Sequence, residues 1–80
     1  MATSKNDIRE WLSRAKPTDT HMLVVCDCWD YEDFPVFVRA EDDIDAMISK
    51  YSTNMCRVME VYNLKMDAES QLDEFRAWHI

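Results

Sequence analysis

The side chains with chemistry to offer in this chain are three cysteines, two histidines and a run of carboxylates set among aromatic rings. Cys26 and Cys28 lie two apart, so on a strand they share a face. Cys56 joins them if its strand pairs alongside. With His21 these residues make a metal-like set, but the spacing is not that of a zinc knuckle, whose cysteine pairs sit on a turn. A free thiol is among the most buried side chains. Packing is therefore the expected role, and redox or nucleophilic use is the alternative. Neither His21 nor His79 has a nucleophile at a telling distance in sequence. Ser4, Ser13, Ser49, Ser52 and Ser70 read as caps and helix surface, so a nucleophilic triad is not expected. No catalytic residue, metal ligand or cofactor is assigned.

The carboxylates are more distinctive. The stretch THMLVVCDCWDYEDFPVFV, Thr20 to Val38, holds two apolar runs joined by a short acidic and aromatic link, the pattern of a hairpin. The link carries Asp27, Asp30, Glu32 and Asp33, with Trp29 and Tyr31 between them. A calcium loop would want a glycine at its sharp turn, and the chain has none. Paired carboxylates can do acid–base work, but nothing else in the sequence marks a pocket. Acids alternating with large rings make a poor core and a plausible contact surface. A second acidic group, Glu41, Asp42, Asp43 and Asp45, follows the second apolar run. Phe34 to Val38 between them spans on the order of 17 Å if extended. Both groups are expected to border one side of the molecule and steer a basic partner. The plainer alternative is that the second group serves its helix dipole and the first keeps the protein soluble. The expected partner-binding set is thus Asp27, Trp29, Asp30, Tyr31, Glu32, Asp33, Glu41, Asp42, Asp43 and Asp45.

Composition narrows the function classes. Eighty residues with a net charge of −7 make one domain, residues 1–80, that buries only roughly 60–65% of its unfolded surface. The acidity argues against direct contact with nucleic acid or an anionic membrane, which needs Lys and Arg. The missing glycines exclude P-loops, dinucleotide fingerprints and nucleophile elbows. An odd cysteine count with no signal-peptide pattern suggests a reducing, cytoplasmic setting. No apolar run approaches a membrane span.

The elements that must hold these residues read as α-β-β-α-β-α. Ile8, Trp11, Leu12 and Ala15 make one helical face over Ser4 to Lys16, with Ser4 and Asp7 as a capping box and Pro17 as the stop. Met22 to Asp27 is apolar on both faces and suits a central strand. Pro35 places the second run at a sheet edge. Glu41 to Tyr51 is helical, and Met55 to Tyr62 alternates as a third strand, with Cys56, Val58 and Tyr62 opposite Arg57, Met59 and Val61. Asp67 caps a last helix bearing Leu72, Phe75 and Trp78, expected to run to Ile80. The expected fold is α+β: a three-stranded mixed sheet in order 2-1-3, strand 1 antiparallel to both neighbours, with helices mainly on one face. Trp11, Val24, Ile48, Val58 and Phe75 are expected in one core.

The hairpin segment, with DIREWLSRAK before it and NMCRVMEVYNLKMDAESQLDEFRAWHI after it, resembles a group of small uncharacterised proteins encoded in bacteriophage and prophage genomes. The likeness spans nearly the whole chain. It brings no functional residues, because the group has no established activity. It implies a context, the cytoplasm of an infected bacterium, where small acidic proteins commonly bind and block host machinery. The expected function is non-enzymatic: binding and modulating or inhibiting a host protein with a basic surface, such as a nucleic-acid-handling or defence protein. A homo-oligomeric, for instance homodimeric, accessory module is the alternative. A thiol- or metal-dependent enzyme is the third class.

Overall fold

The computed structural model describes residues 4–30, 32–53 and 55–80. Six elements follow in the expected order: α1 (Lys5–Ser13), β1 (Asp19–Asp27), β2 (Glu32–Arg39), α2 (Ile44–Tyr51), β3 (Cys56–Asn63) and α3 (Ala68–Leu72). The sheet order is β2-β1-β3. β1 is central because Met22 to Val25 is apolar on both faces, and all four residues are buried. Pro35, which cannot donate to a ladder, sits in the edge strand β2.

The sheet is not mixed. β1 is antiparallel to both β2 and β3. The two outer strands run the same way but never touch, so each hydrogen-bonded pair is antiparallel.

The helices do not gather on one face. Ile8, Met22, Val24, Tyr62, Leu72 and Ala77 form one buried cluster, with Trp11 and Leu12 of α1 against it. Leu23, Val25, Val38, Val58 and Val61 form another, with Ile44, Met47, Ile48 and Tyr51 of α2 against it. A central strand apolar on both sides demands cover on both, and α2, crossing between the two outer strands, supplies the second layer. The expected single core is therefore two. Val24 and Ile48 belong to opposite clusters, Trp11 and Ile48 are only partly buried, and Phe75 is 91% exposed.

Strict alternation also fails in β3. Val24 pairs with Glu60 and Val25 with Val58, which leaves Met59 as an extra residue, a bulge. The slip moves Val61 onto the face of Val58 and puts Tyr62 on the other.

The start signal of α1 acts as read, whereas Asp67 stands at the N-cap of α3 without a side-chain capping hydrogen bond. Ser4 accepts from the Asp7 amide while Asp7 accepts from the Ser4 amide, closing the capping box. α1 ends sooner than expected: Arg14 is its C-cap and Lys16 lies beyond it. α2 also starts later, at Ile44. α3 stops at Leu72 instead of reaching Ile80. The reason lies in the outer edge of β3, whose backbone needs partners. The Val61 amide donates to Ala77 O at 2.9 Å and the His79 amide to Val61 O at 3.0 Å. A continued helix would keep those groups for itself. Among the described residues no helix is long and apolar enough to cross a membrane.

Candidate functional site

Asp27 closes the end of β1 and shapes the hairpin tip. Its Oδ1 accepts from the Trp29 amide at 2.8 Å, an Asx turn that does without glycine. The Cys28 amide donates to Met55 O at 2.8 Å and ties the tip to the start of β3. Trp29 stands 74% exposed, and Met55, brought beside it by that bond, is half exposed. Asp30 and Glu32 are exposed and take no hydrogen bond among the described residues; Asp33 is half-buried. Tyr31 lies outside the described residues. The tip therefore offers a large ring and a thioether among carboxylates. Exposed Arg57, across from Cys26, is the nearest cation in the ladder.

The second acidic group is not brought to the tip. It sits past the far end of β2, whose eight residues span about 25 Å, close to the longest dimension of the molecule, 31 Å. Two of its members have local work. Asp42 Oδ2 accepts from the Arg39 amide at 3.2 Å, and Asp43 Oδ1 caps α2 by accepting from Asp45 N at 3.0 Å. Glu41 approaches Arg39 at 3.9 Å, and Asp45 lies in the first turn of α2. Helix-capping and turn chemistry account for this group without a partner.

The cysteines do not assemble. Cys26 lies two residues beyond Val24 on β1, Cys28 lies past the end of that strand, and Cys56 packs in the cluster under α2. All three are free and partly buried. Burial, then the neighbouring Asp33 carboxylate, pushes the Cys26 thiol up, away from nucleophile chemistry. Among the described residues no group of three or more His, Cys, Asp or Glu is placed to hold a metal ion. His21 sits at the other end of β1.

Sequence reading missed a buried polar cluster on the α1 side of the sheet. Glu60 is buried. Its Oε1 accepts from Lys5 Nζ at 3.2 Å, from the Tyr62 hydroxyl at 3.1 Å and from the Ala77 amide at 3.4 Å. Lys5 also donates to Glu74 O at 2.9 Å. Burial and the adjacent Glu60 charge push the Tyr62 phenol well above its ordinary range, so it stays a donor. The cluster borders a cavity of about 200 Å³ whose walls include Asp33, Met59, Phe75 and Arg76. A signal was present: Glu60 is the lone acid inside the apolar run Val58 to Tyr62, and a buried acid must find donors. No family model, no curated protein and no solved structure matches the chain.

Proposed function

We propose that this protein is a non-enzymatic, phage-type acidic protein that binds a bacterial host protein and modulates or inhibits it through the hairpin tip. One observation carries the reading: the Trp29 ring, 74% exposed, stands among Asp27, Asp30 and Glu32, with its amide held by the Asp27 carboxylate. An aromatic anchor inside a polar rim is the usual anatomy of a protein contact. The net charge of −7 selects a basic partner, and the tip carboxylates act mainly on its association rate. A host protein that handles nucleic acid offers such a surface. Helices cover both sheet faces, which weighs against a module that pairs with itself through an open face.

The test starts from a partner isolated with the intact protein from bacterial lysate. Association is then followed against salt for wild type, for Trp29→Ala and for Asp30→Asn with Glu32→Gln. The ring variant should speed dissociation. The neutralised variant should slow association and flatten its salt dependence. Binding that ignores both salt and these substitutions would end this reading.

A further inference from the structure

We propose that the cavity at the end of the sheet away from the hairpin tip binds a free α-amino acid with an aliphatic side chain, its ammonium group donating to His21 Nε2 and its carboxylate facing Lys65. The space measures about 390 Å³, within the roughly 300–1,000 Å³ of small-molecule sites. His21 lines it beside Thr20, Asn63 and Lys65. Thr20 Oγ1 donates to Val38 O and so takes its own hydrogen bond from His21 Nδ1–H at 2.9 Å. That bond sets the neutral tautomer and leaves Nε2, on the outer edge of the ring, as an acceptor. Nε2 is the one enclosed side-chain nitrogen or oxygen without a partner among the described residues. Buried polar atoms are almost always paired, so an orphan beside a cavity calls for a donor that enters from outside.

Two opposite charges flank that acceptor without meeting. Lys65 follows β3 and Asp42 follows β2, and both line the cavity. Neither takes part in an ion pair among the described residues. Asp42 spends Oδ2 on the Arg39 amide and keeps Oδ1 free of any described donor. Asn63 Oδ1 accepts from the Lys65 amide at 2.9 Å, while its side-chain NH₂ donates to no described residue. His21 pairs with Val38 of β2 on one side and Asn63 of β3 on the other, so the acceptor lies between the anion and the cation. The outer strands stand roughly 10 Å apart across β1, and a charge-assisted hydrogen bond at each end takes about 2.8 Å, which leaves roughly 4 Å for the ligand. That is close to the reach from an ammonium to a carboxylate across one carbon. A simple anion would leave Nε2 and Asp42 unserved, and a simple amine would leave Lys65 unserved. A zwitterion serves all three, and Ile44 and Ile80 supply wall for its aliphatic side chain.

This site is separate from the tip, and its test needs no host protein. The isotope-labelled full chain is titrated with leucine, with N-acetyl-leucine, which lacks the ammonium, and with leucine amide, which lacks the carboxylate. Leucine should move the amide signals of His21, Asn63 and Lys65 and the ring Nε2 signal of His21, which reports a new hydrogen bond there. Each blocked compound should bind about ten-fold more weakly or worse. His21→Phe, which keeps the bulk of the ring and removes the acceptor, should weaken leucine binding about ten-fold. Lys65→Met should weaken it about three- to five-fold. Lys65 is exposed, so this second variant keeps the fold, and an unchanged spectrum away from the cavity verifies it. No shift at His21 and Lys65 with leucine would mean that solvent alone serves Nε2, and would overturn the site. Equal binding of the blocked compounds, or wild-type affinity in both variants, would overturn it as well.

Discussion

The single proton of the Thr20 hydroxyl decides the state of His21. Thr20 Oγ1 donates to Val38 O at 3.2 Å, so it must accept from His21 Nδ1–H at 2.9 Å. That leaves Nε2 a bare acceptor, buried and without a partner among the described residues. Protonation would put a donor there with nothing to receive it. Burial, and then the charge of Lys65, hold His21 below its ordinary 6.5. The unfolded chain therefore takes up a proton first as pH falls. Stability is full above about 6.5 and is lost as pH drops below it towards the folded value. Urea midpoints at about pH 7.5 and about pH 5.5 should differ more for wild type than for His21→Phe; equal differences would place the titration elsewhere. A second single-residue effect concerns Lys5, whose ammonium balances the buried Glu60. Lys5→Met should cost about 1–2 kcal/mol, less than a fully buried pair because the Lys5 head is partly exposed. Lys5→Met combined with Glu60→Gln should recover part of that loss in denaturant titrations.

Between residues and fold stand the strand edges, closed by side chains as well as by backbone. On the outer edge of β3, Thr53 donates its amide to Cys56 O at 2.9 Å and accepts from the Cys56 amide through Oγ1 at 3.2 Å. The C-terminal segment covers Val61. Gln71, reaching from α3, covers Asn63. Its Oε1 accepts from the Asn63 amide at 2.7 Å, and its Nε2 donates to Asn63 O at 2.9 Å and Asp67 O at 3.2 Å. A buried side-chain amide thus stands in for a neighbouring strand. Gln71→Ala should cost about 1–3 kcal/mol, because it strands two backbone groups of β3. Amide exchange should rise first at Asn63. Unchanged exchange there would mean that water replaces the side chain without loss.

β2 is defended differently, and this bears on how the molecule meets others. Arg39 turns its N–H and C=O to Asp42, so both point away from β1. Pro35, four residues earlier on an unbroken strand, presents the same edge with no N–H at all. With both edges blunted and both sheet faces covered, the contact proposed for a partner would rest on side chains: Trp29, Met55 and the tip carboxylates. Pro35→Val should keep the fold and restore a donor to the middle of the edge. Sedimentation of that variant should show self-association that grows with concentration, while wild type stays monomeric. A monomeric variant would show that the bulk and charge of neighbouring side chains, not the missing donor, protect the edge.

The order of elements, the central place of β1, the edge place of β2 and the capping of α1 were all legible in the chain. Each depends on residues close in sequence: two-sided apolar runs, one proline, one serine three residues ahead of an acid. Sheet order 2-1-3 followed from the same pattern, although the sheet proved wholly antiparallel, because the outer strands never meet. What escaped sequence reading depends on partners far apart in the chain. The bulge at Met59 leaves no mark on composition, yet it moves Val61 and Tyr62 to opposite layers. Helical spacing around Leu72, Phe75 and Trp78 was real, but unpaired backbone on β3 outbid it and drew residues 77–79 into an edge contact. The acidic tip could be named from its residues, apart from Met55, which only strand pairing delivers to it. The Glu60 cluster and its cavity could not, since Lys5, Asp33, Glu60 and Phe75 come from α1, β2, β3 and the C-terminal segment. Local pattern set the elements. Long-range hydrogen bonding and the need to cover both faces of one strand decided where they ended and what they brought together.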